Sequence, residues 1–249
     1  MSSPSLQFSE NTLRIQIQGS IVDRVRQVGQ PLSVKSRQHS AINERLVWDG
    51  LRMEANNGWN LDDTAEDIHA AFEVFTSWVD LASSARSQSS GKHAEISRYA
   101  LCETLLEYHS SEETEQEIVN LKSSFWPWLE AIQAYASTTM QQKPTPPRSS
   151  TALQSFFTLT KGEGSRFQLK IMNTCQRKRF VTTENREIGL VPDIVQVGDI
   201  VALISSLRMP VILRPVDQGR FLYVCHAYIH GLMGGEKWDK SAKVGIWLT

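Results

Sequence analysis

Apolar residues recur along this chain with two different periods. In TLRIQIQG, residues 12–19, Leu13, Ile15 and Ile17 alternate with polar neighbours, which predicts a half-buried strand ending at Gly19. The next stretch, SIVDRVRQVG, spaces Ile21, Val25 and Val28 as a helix would and is stopped by Gly29 and Pro31. The best helical signal is LDDTAEDIHAAFEVFTSWVDLASSAR, where Asp62 or Asp63 caps the first turn and Ile68, Phe72, Phe75, Trp78, Val79 and Ala82 share one stripe. A serine-rich segment, 83–91, reads as a surface loop. ISRYALCETLLEYH then predicts a shorter helix with Ile96, Tyr99, Ala100, Leu105 and Leu106 inward. EETEQEIVNLKSSFWPWLEAIQAYAS predicts another, in which Pro127, flanked by Trp126 and Trp128, removes an N–H and is expected to kink the helix or open a new one.

Residues 139–151, TMQQKPTPPRSST, combine three prolines with polar residues and mark a linker. Part of 152–176 reads as helix. From RKRFVTT onward the period is two: Phe180, the IGLVP turn, DIVALI at 199–204, MPVILRPV at 209–216, RFLYVCHAYIH at 220–230 and the terminal VGIWL are short strands separated by turn residues. The expected fold is α+β, a helical layer packed on a small, mainly antiparallel β-barrel or curled sheet that the 12–19 strand joins. The expected organisation is one compact body: an N-terminal strand and helical lobe over 1–138, the linker over 139–151, and a helix plus β lobe over 152–249.

Composition narrows the function classes. Of 249 residues, 41% are hydrophobic and 21% charged, as in ordinary globular proteins. The 26 basic and 27 acidic residues leave a net charge of -1 with no like-charge block, which argues against a nucleic-acid or membrane-surface partner. Three cysteines without a CxxC pair, no leader-like apolar start and no long apolar run predict a reducing, cytoplasmic setting.

Four phrases occur in a fixed order: LRIQIQGSIVDRV, KRFVTTENREIGLVPDIVQVGDIVALI, MPVILRPV and YIHGLMGGE. Together they resemble the region that follows the effector domain in fungal heterokaryon-incompatibility (HET) proteins, and the resemblance spans roughly the whole chain. It implies a stand-alone relative of that region without the HET effector domain, in a family where this region has no generally assigned activity. The chain departs from the family pattern near its end, where VCHAYIHGLMGGE puts His226 in place of an expected glutamate and Gly234 in place of an expected aspartate.

The candidate chemistry gathers in HAYIHGLMGGE, residues 226–236. On one continuous strand His226, Tyr228 and His230 share a face, and Glu236 lies across the glycine turn. Strand residues four apart are separated by about 13 Å, too far for both histidines to hold one ion, so no metal is expected. As a proton-transfer set, the candidate catalytic residues are His226, His230, Glu236 and Asp199, an imidazole oriented by a carboxylate. The structural alternative has Asp199 cap the VGD turn, Glu236 anchor its loop and His230 sit satisfied in the core. Cys225 and His226 point to opposite faces of a strand, and no phosphate-binding glycine motif is complete, so any reaction is expected to be cofactor-free.

Tyr228, Trp238, Trp126, Trp128 and Arg214 are the expected substrate-binding residues of an apolar pocket between the helical half and the barrel. Two functions follow. One is a cofactor-independent enzyme of fungal secondary metabolism that cyclises, isomerises or dehydrates a hydrophobic small molecule. The other is a non-catalytic module that binds a partner protein in non-self recognition or stress signalling.

Overall fold

The computed structural model describes residues 5–9, 12–33, 61–86, 92–107, 115–141, 163–205, 207–217, 219–235, 237–238 and 244–249. Over these residues the chain is α+β, with four helices and a barrel-like, mainly antiparallel sheet. It divides into two compact units, one of Met1–Pro31, Asp80–His109 and Arg177–Thr249, the other of Leu32–Val79 and Ser110–Gln176.

Among its described residues the second unit is mainly helical, and the first of its helices runs on from Val79 into the segment Asp80–His109 of the first unit. Helix α1, Leu61–Arg86, buries Ala71, Phe72, Phe75 and Trp78 at the expected three- and four-residue spacing. The helix carries the start of the serine-rich segment with it, so the expected loop does not begin at residue 83; residues 87–91 lie outside the described residues. Helix α3, Glu115–Gln141, runs through Pro127 as one element, neither ended nor restarted there. Packing carries it past the missing N–H, because Phe125, Trp128, Leu129 and Ile132 are all buried around that position. It also takes in the first residues of the expected linker, whose remainder, 142–151, lies outside the described residues. Helix α4, Glu163–Cys175, packs on α3 through Phe167, Ile171 and Met172.

The first unit holds the sheet and helix α2, Lys92–Leu106. Tyr99, expected inward, is 46% exposed, while Ala100, Leu101, Cys102 and Leu105 form the buried face. The strands are β1 (Ser5–Ser9), β2 (Thr12–Val28), β3 (Lys178–Thr183), β4 (Ile188–Pro192), β5 (Ile200–Ile204), β6 (Val211–Asp217), β7 (Arg220–His226), β8 (Tyr228–Ile229) and β9 (Val244–Leu248). IGLVP, expected as a turn, is strand β4, hydrogen-bonded to β3 on one side and β8 on the other.

Strand β2 organises everything else. Residues 20–28, expected as a helix, continue the strand. The register slips between Ile21 and Asp23 against β5, and again between Val25 and Gln27 against β3. Each bulge inserts one residue into the two-residue alternation, so the apolar positions fall at spacings that imitate a helix. Along its length β2 pairs first with β1 and β9, then with β5, then with β3. Because β5 continues to β6, β7 and β9, and β9 returns to β2, these five strands close on themselves; β3, β4 and β8 extend from the far end of β2 as a second sheet.

Gly19 sits where β2 meets both β5 and β9, opposite Ile204 and Val244. A Cβ there would lie 2.7 Å from the Leu203 carbonyl oxygen and 2.8 Å from Ile246 Cδ1, so the close approach of three strands requires glycine. The β5 run IVALI is buried on both faces. Ile200, Ala202 and Ile204 pack with Val211, Leu213 and Ile246, whereas Val201 and Leu203 pack with Val25, Val181, Val191, Val195, Ile212 and Ile229. That double burial is why the run has no polar alternation.

Candidate functional site

The segment joining β4 to β5, Asp193–Asp199, carries a dense polar network. Its sequence, DIVQVGD, mixes three β-branched apolar residues with turn-formers. Val195 is fully buried beneath it, in the cluster with Val25, Val181 and Val201. At its end Gly198 adopts φ +93°, a conformation open to glycine, and its N–H donates to the Val25 carbonyl at 2.9 Å. The Val25 N–H in turn donates to the Asp199 carbonyl at 2.8 Å.

Asp199, a candidate general base, has a side chain only 3% exposed. Its Oδ1 accepts from Arg214 Nε at 2.8 Å, and its Oδ2 accepts from Arg214 Nη2 at 2.8 Å and from the Gln196 N–H at 2.9 Å. This bidentate pair raises the Arg214 pKa, chiefly through the hydrogen bond to Asp199. Both residues are therefore engaged with each other and with the loop.

Three guanidinium groups hold the loop's carbonyl oxygens. Arg214 Nη2 donates to Ile194 O at 2.9 Å, Arg179 Nη1 to Val195 O at 3.2 Å, and Arg24 Nη1 to Gly198 O at 3.0 Å. These arginines come from β6, β3 and β2, remote in sequence. Two short backbone bonds, Val195 N–H to Pro192 O and Asp199 N–H to Gln196 O, complete the turn. Against this fixed backbone Ile194 is 55% and Val197 60% exposed.

The histidines do not share a strand face. The expected single strand 220–230 breaks at Ala227, whose buried side chain joins the core and whose N–H donates to Pro210 O. His226 thus ends β7 in the ring, exposed, its imidazole 5.7 Å from the Tyr223 ring. His230 follows β8 in the second sheet; its N–H donates to Ile188 O, and its Nε2 lies 3.2 Å from Glu103 Oε2 of α2. A second pair, Lys178 Nζ to Glu107 Oε2 at 2.6 Å, ties the residue that follows this helix to β3.

The remaining candidates are dispersed. Glu236 lies outside the described residues. Tyr228 is buried on β8, and Trp238 packs partly buried against the cluster beneath the loop. In the helical unit Trp128 is fully buried against Phe75, Phe125 and Phe167, with its Nε1–H donating to Gln168 Oε1 at 2.5 Å; Trp126 meets the edge of Phe125. Burial, then the Asp199 charge, push the Cys225 thiol up to about 12, which keeps it protonated at neutral pH. Among the described residues no three His, Cys, Asp or Glu side chains gather as a metal site, and no helix is long and apolar enough to cross a membrane.

The sequence raised Asp199 as a candidate acid/base residue and Arg214 as a candidate substrate-binding residue; nothing in it coupled them. Glu103 and Arg24 were not singled out, because their partners are far along the chain and a polar residue on an amphipathic element reads as solvated.

No curated protein and no solved structure gives a significant match to this chain. The sequence profile of the Het-6 beta-barrel domain matches residues 102–249, more than half of the chain, and that span contains every ring strand except β2. With its ring-closed sheet and this matched span, the chain belongs to the Het-6 beta-barrel domain family.

Proposed function

We propose that this chain is a recognition module, and that it acts by presenting a fixed surface to a partner protein. The observation that carries this reading is the loop Asp193–Asp199, whose carbonyls are held by three arginines while Ile194 and Val197 face solvent. A backbone ordered before binding loses little conformational freedom on binding, and exposed β-branched side chains gain from burial.

The titratable groups support the same reading. Asp199 has both oxygens committed to Arg214, and the Cys225 thiol is shifted away from nucleophilic use. For Asp199 a proton-transfer role would require breaking its pair with Arg214.

The test is incubation of the purified chain with a small-molecule extract and, separately, with a protein extract under photo-crosslinking. We expect the metabolite profile by mass spectrometry to stay unchanged and specific protein adducts to form. A metabolite consumed at a rate that His226→Ala abolishes would favour the cofactor-independent enzyme instead.

A further inference from the structure

We propose that the edge of β7 from Tyr223 to His226 takes an extended, β-branched segment of a partner protein as an added strand. The inference rests on the recognition reading for its occupant and on the strand pairing for its place.

Strand β7 pairs with β6 from Arg220 to His226, but it meets β9 through Arg220 and Phe221 alone. Phe221 turns its main chain toward β9, and its carbonyl accepts from the Thr249 N–H at 3.1 Å. Main-chain direction alternates along a strand, so Tyr223 presents its N–H and carbonyl on the same side, past the last residue paired with β9. At the other end Ala227 N–H donates to Pro210 O, which points Ala227 toward the β6 side and turns His226 the opposite way. The bulge between Ile212 and Leu213 sets Tyr223 and His226 three apart and still on one edge. Among the described residues no backbone hydrogen bond reaches the edge-facing groups of either residue.

Unpaired main-chain donors and acceptors in a row are a template for another strand, and the place is the line that β9 leaves after Thr249. Only a polypeptide carries the alternating amides that match it; a nucleic acid or an apolar small molecule does not. The side chains add the preference. Leu222 and Tyr223 are exposed, and the Tyr223 ring meets the His226 ring edge-on at 5.7 Å, an aromatic flank suited to a β-branched neighbour. The charges at the start of the strand, Arg220 and Asp217, are paired with each other, so the edge does not call for a charged segment. Two copies joined edge to edge would share too short a run for the roughly 800 Å² per partner that a stable complex buries.

Amide hydrogen exchange on the full chain alone tests the place. We expect the Tyr223 and His226 amides to exchange about tenfold or more faster than the Leu222 amide, which faces β6. Equal protection at the three positions would mean that the edge is already covered, and would overturn the proposal.

Fluorescence polarisation then tests the occupant with three short labelled peptides: alternating valine and threonine, the same sequence N-methylated throughout, and a helical peptide of equal apolar content. We expect the first alone to bind and to slow exchange at Tyr223 and His226 by about tenfold or more. His226→Pro removes one edge N–H and leaves the β6 ladder intact, so it is expected to keep the fold by circular dichroism and to weaken that peptide about tenfold. If the variant unfolds, the methylated peptide makes the same test from the other strand.

Binding by none of the peptides, or equal binding by the methylated or helical one, would discard the edge. A concentration-dependent dimer in sedimentation that His226→Pro dissociates would give the edge to a second copy and discard the proposal too. A photo-crosslinking residue at Tyr223 or at Val197, used with a protein extract, separates these failures from failure of the recognition reading. Protein adducts from Val197 but not from Tyr223 discard the edge and keep the recognition module. No protein adduct from either position, together with His226-dependent turnover, discards both.

Discussion

Removing the Arg214 guanidinium leaves the Asp199 carboxylate buried, with one backbone N–H from Gln196 to satisfy it. An uncompensated buried charge is expensive, so Arg214→Met is expected to lower the unfolding free energy by about 3 kcal/mol, read from urea denaturation. Arg214→Lys keeps the charge and loses the fork, and is expected to fall between the two. Cys225 gives a pH test. Its thiol is raised from 9.0 to about 12 in the folded chain, so the fold favours the protonated form. The unfolded chain therefore releases its proton first as pH rises: the contribution is fully present below about pH 9 and is lost as pH climbs through about 12. Cys225→Ala is expected to flatten that alkaline decline in denaturation measured from pH 8 upward, and alkylation of the wild-type thiol is expected to show no thiolate plateau below the folded value.

At the scale of elements, α2 is fastened to the sheet through His230–Glu103 and Lys178–Glu107, pairs whose side chains are about a quarter exposed. Pairs this wet stabilise modestly. A double-mutant cycle on Glu103→Gln and His230→Gln is expected to give a coupling of about 0.5–1 kcal/mol in denaturation, and the single variants to speed amide exchange in α2 more than in β5. A coupling of zero would mean that Ala100, Leu101 and Leu105 alone seat the helix. Strand β2 shows where element prediction failed and why. Its two bulges shift the alternation, and Ile21, Val25 and Val28 then read as a helix, although the chain around them is paired to β5 and β3. The break at Ala227 misled in the same way, since RFLYVCHAYIH carries no turn residue at the point where it crosses from one sheet to the other.

At the scale of the molecule, the family match begins at residue 102, yet the ring closes only through β2 at residues 12–28. A chain of residues 102–249 alone is expected to lack a cooperative thermal transition by circular dichroism, because β5 and β9 lose their common neighbour and Ile17 and Val25 leave the two clusters they pack with. Addition of a peptide covering residues 1–31 is expected to restore it in part.

Local pattern was enough for the α+β class, the four helices, most of the later strands and the resemblance to the HET family, because burial on one face writes a period into the residues that are buried. It raised Asp199 and Arg214 as candidates, but for catalysis and substrate binding and not for the pair they form with each other. Tertiary structure alone decided that these two meet across fourteen intervening residues, that three arginines from separate strands converge on one loop, and that the two histidines part company on different sheets. Such facts depend on pairing between distant segments, on bulges and on which face of a residue finds a partner, and a linear pattern records burial without recording the neighbour that causes it.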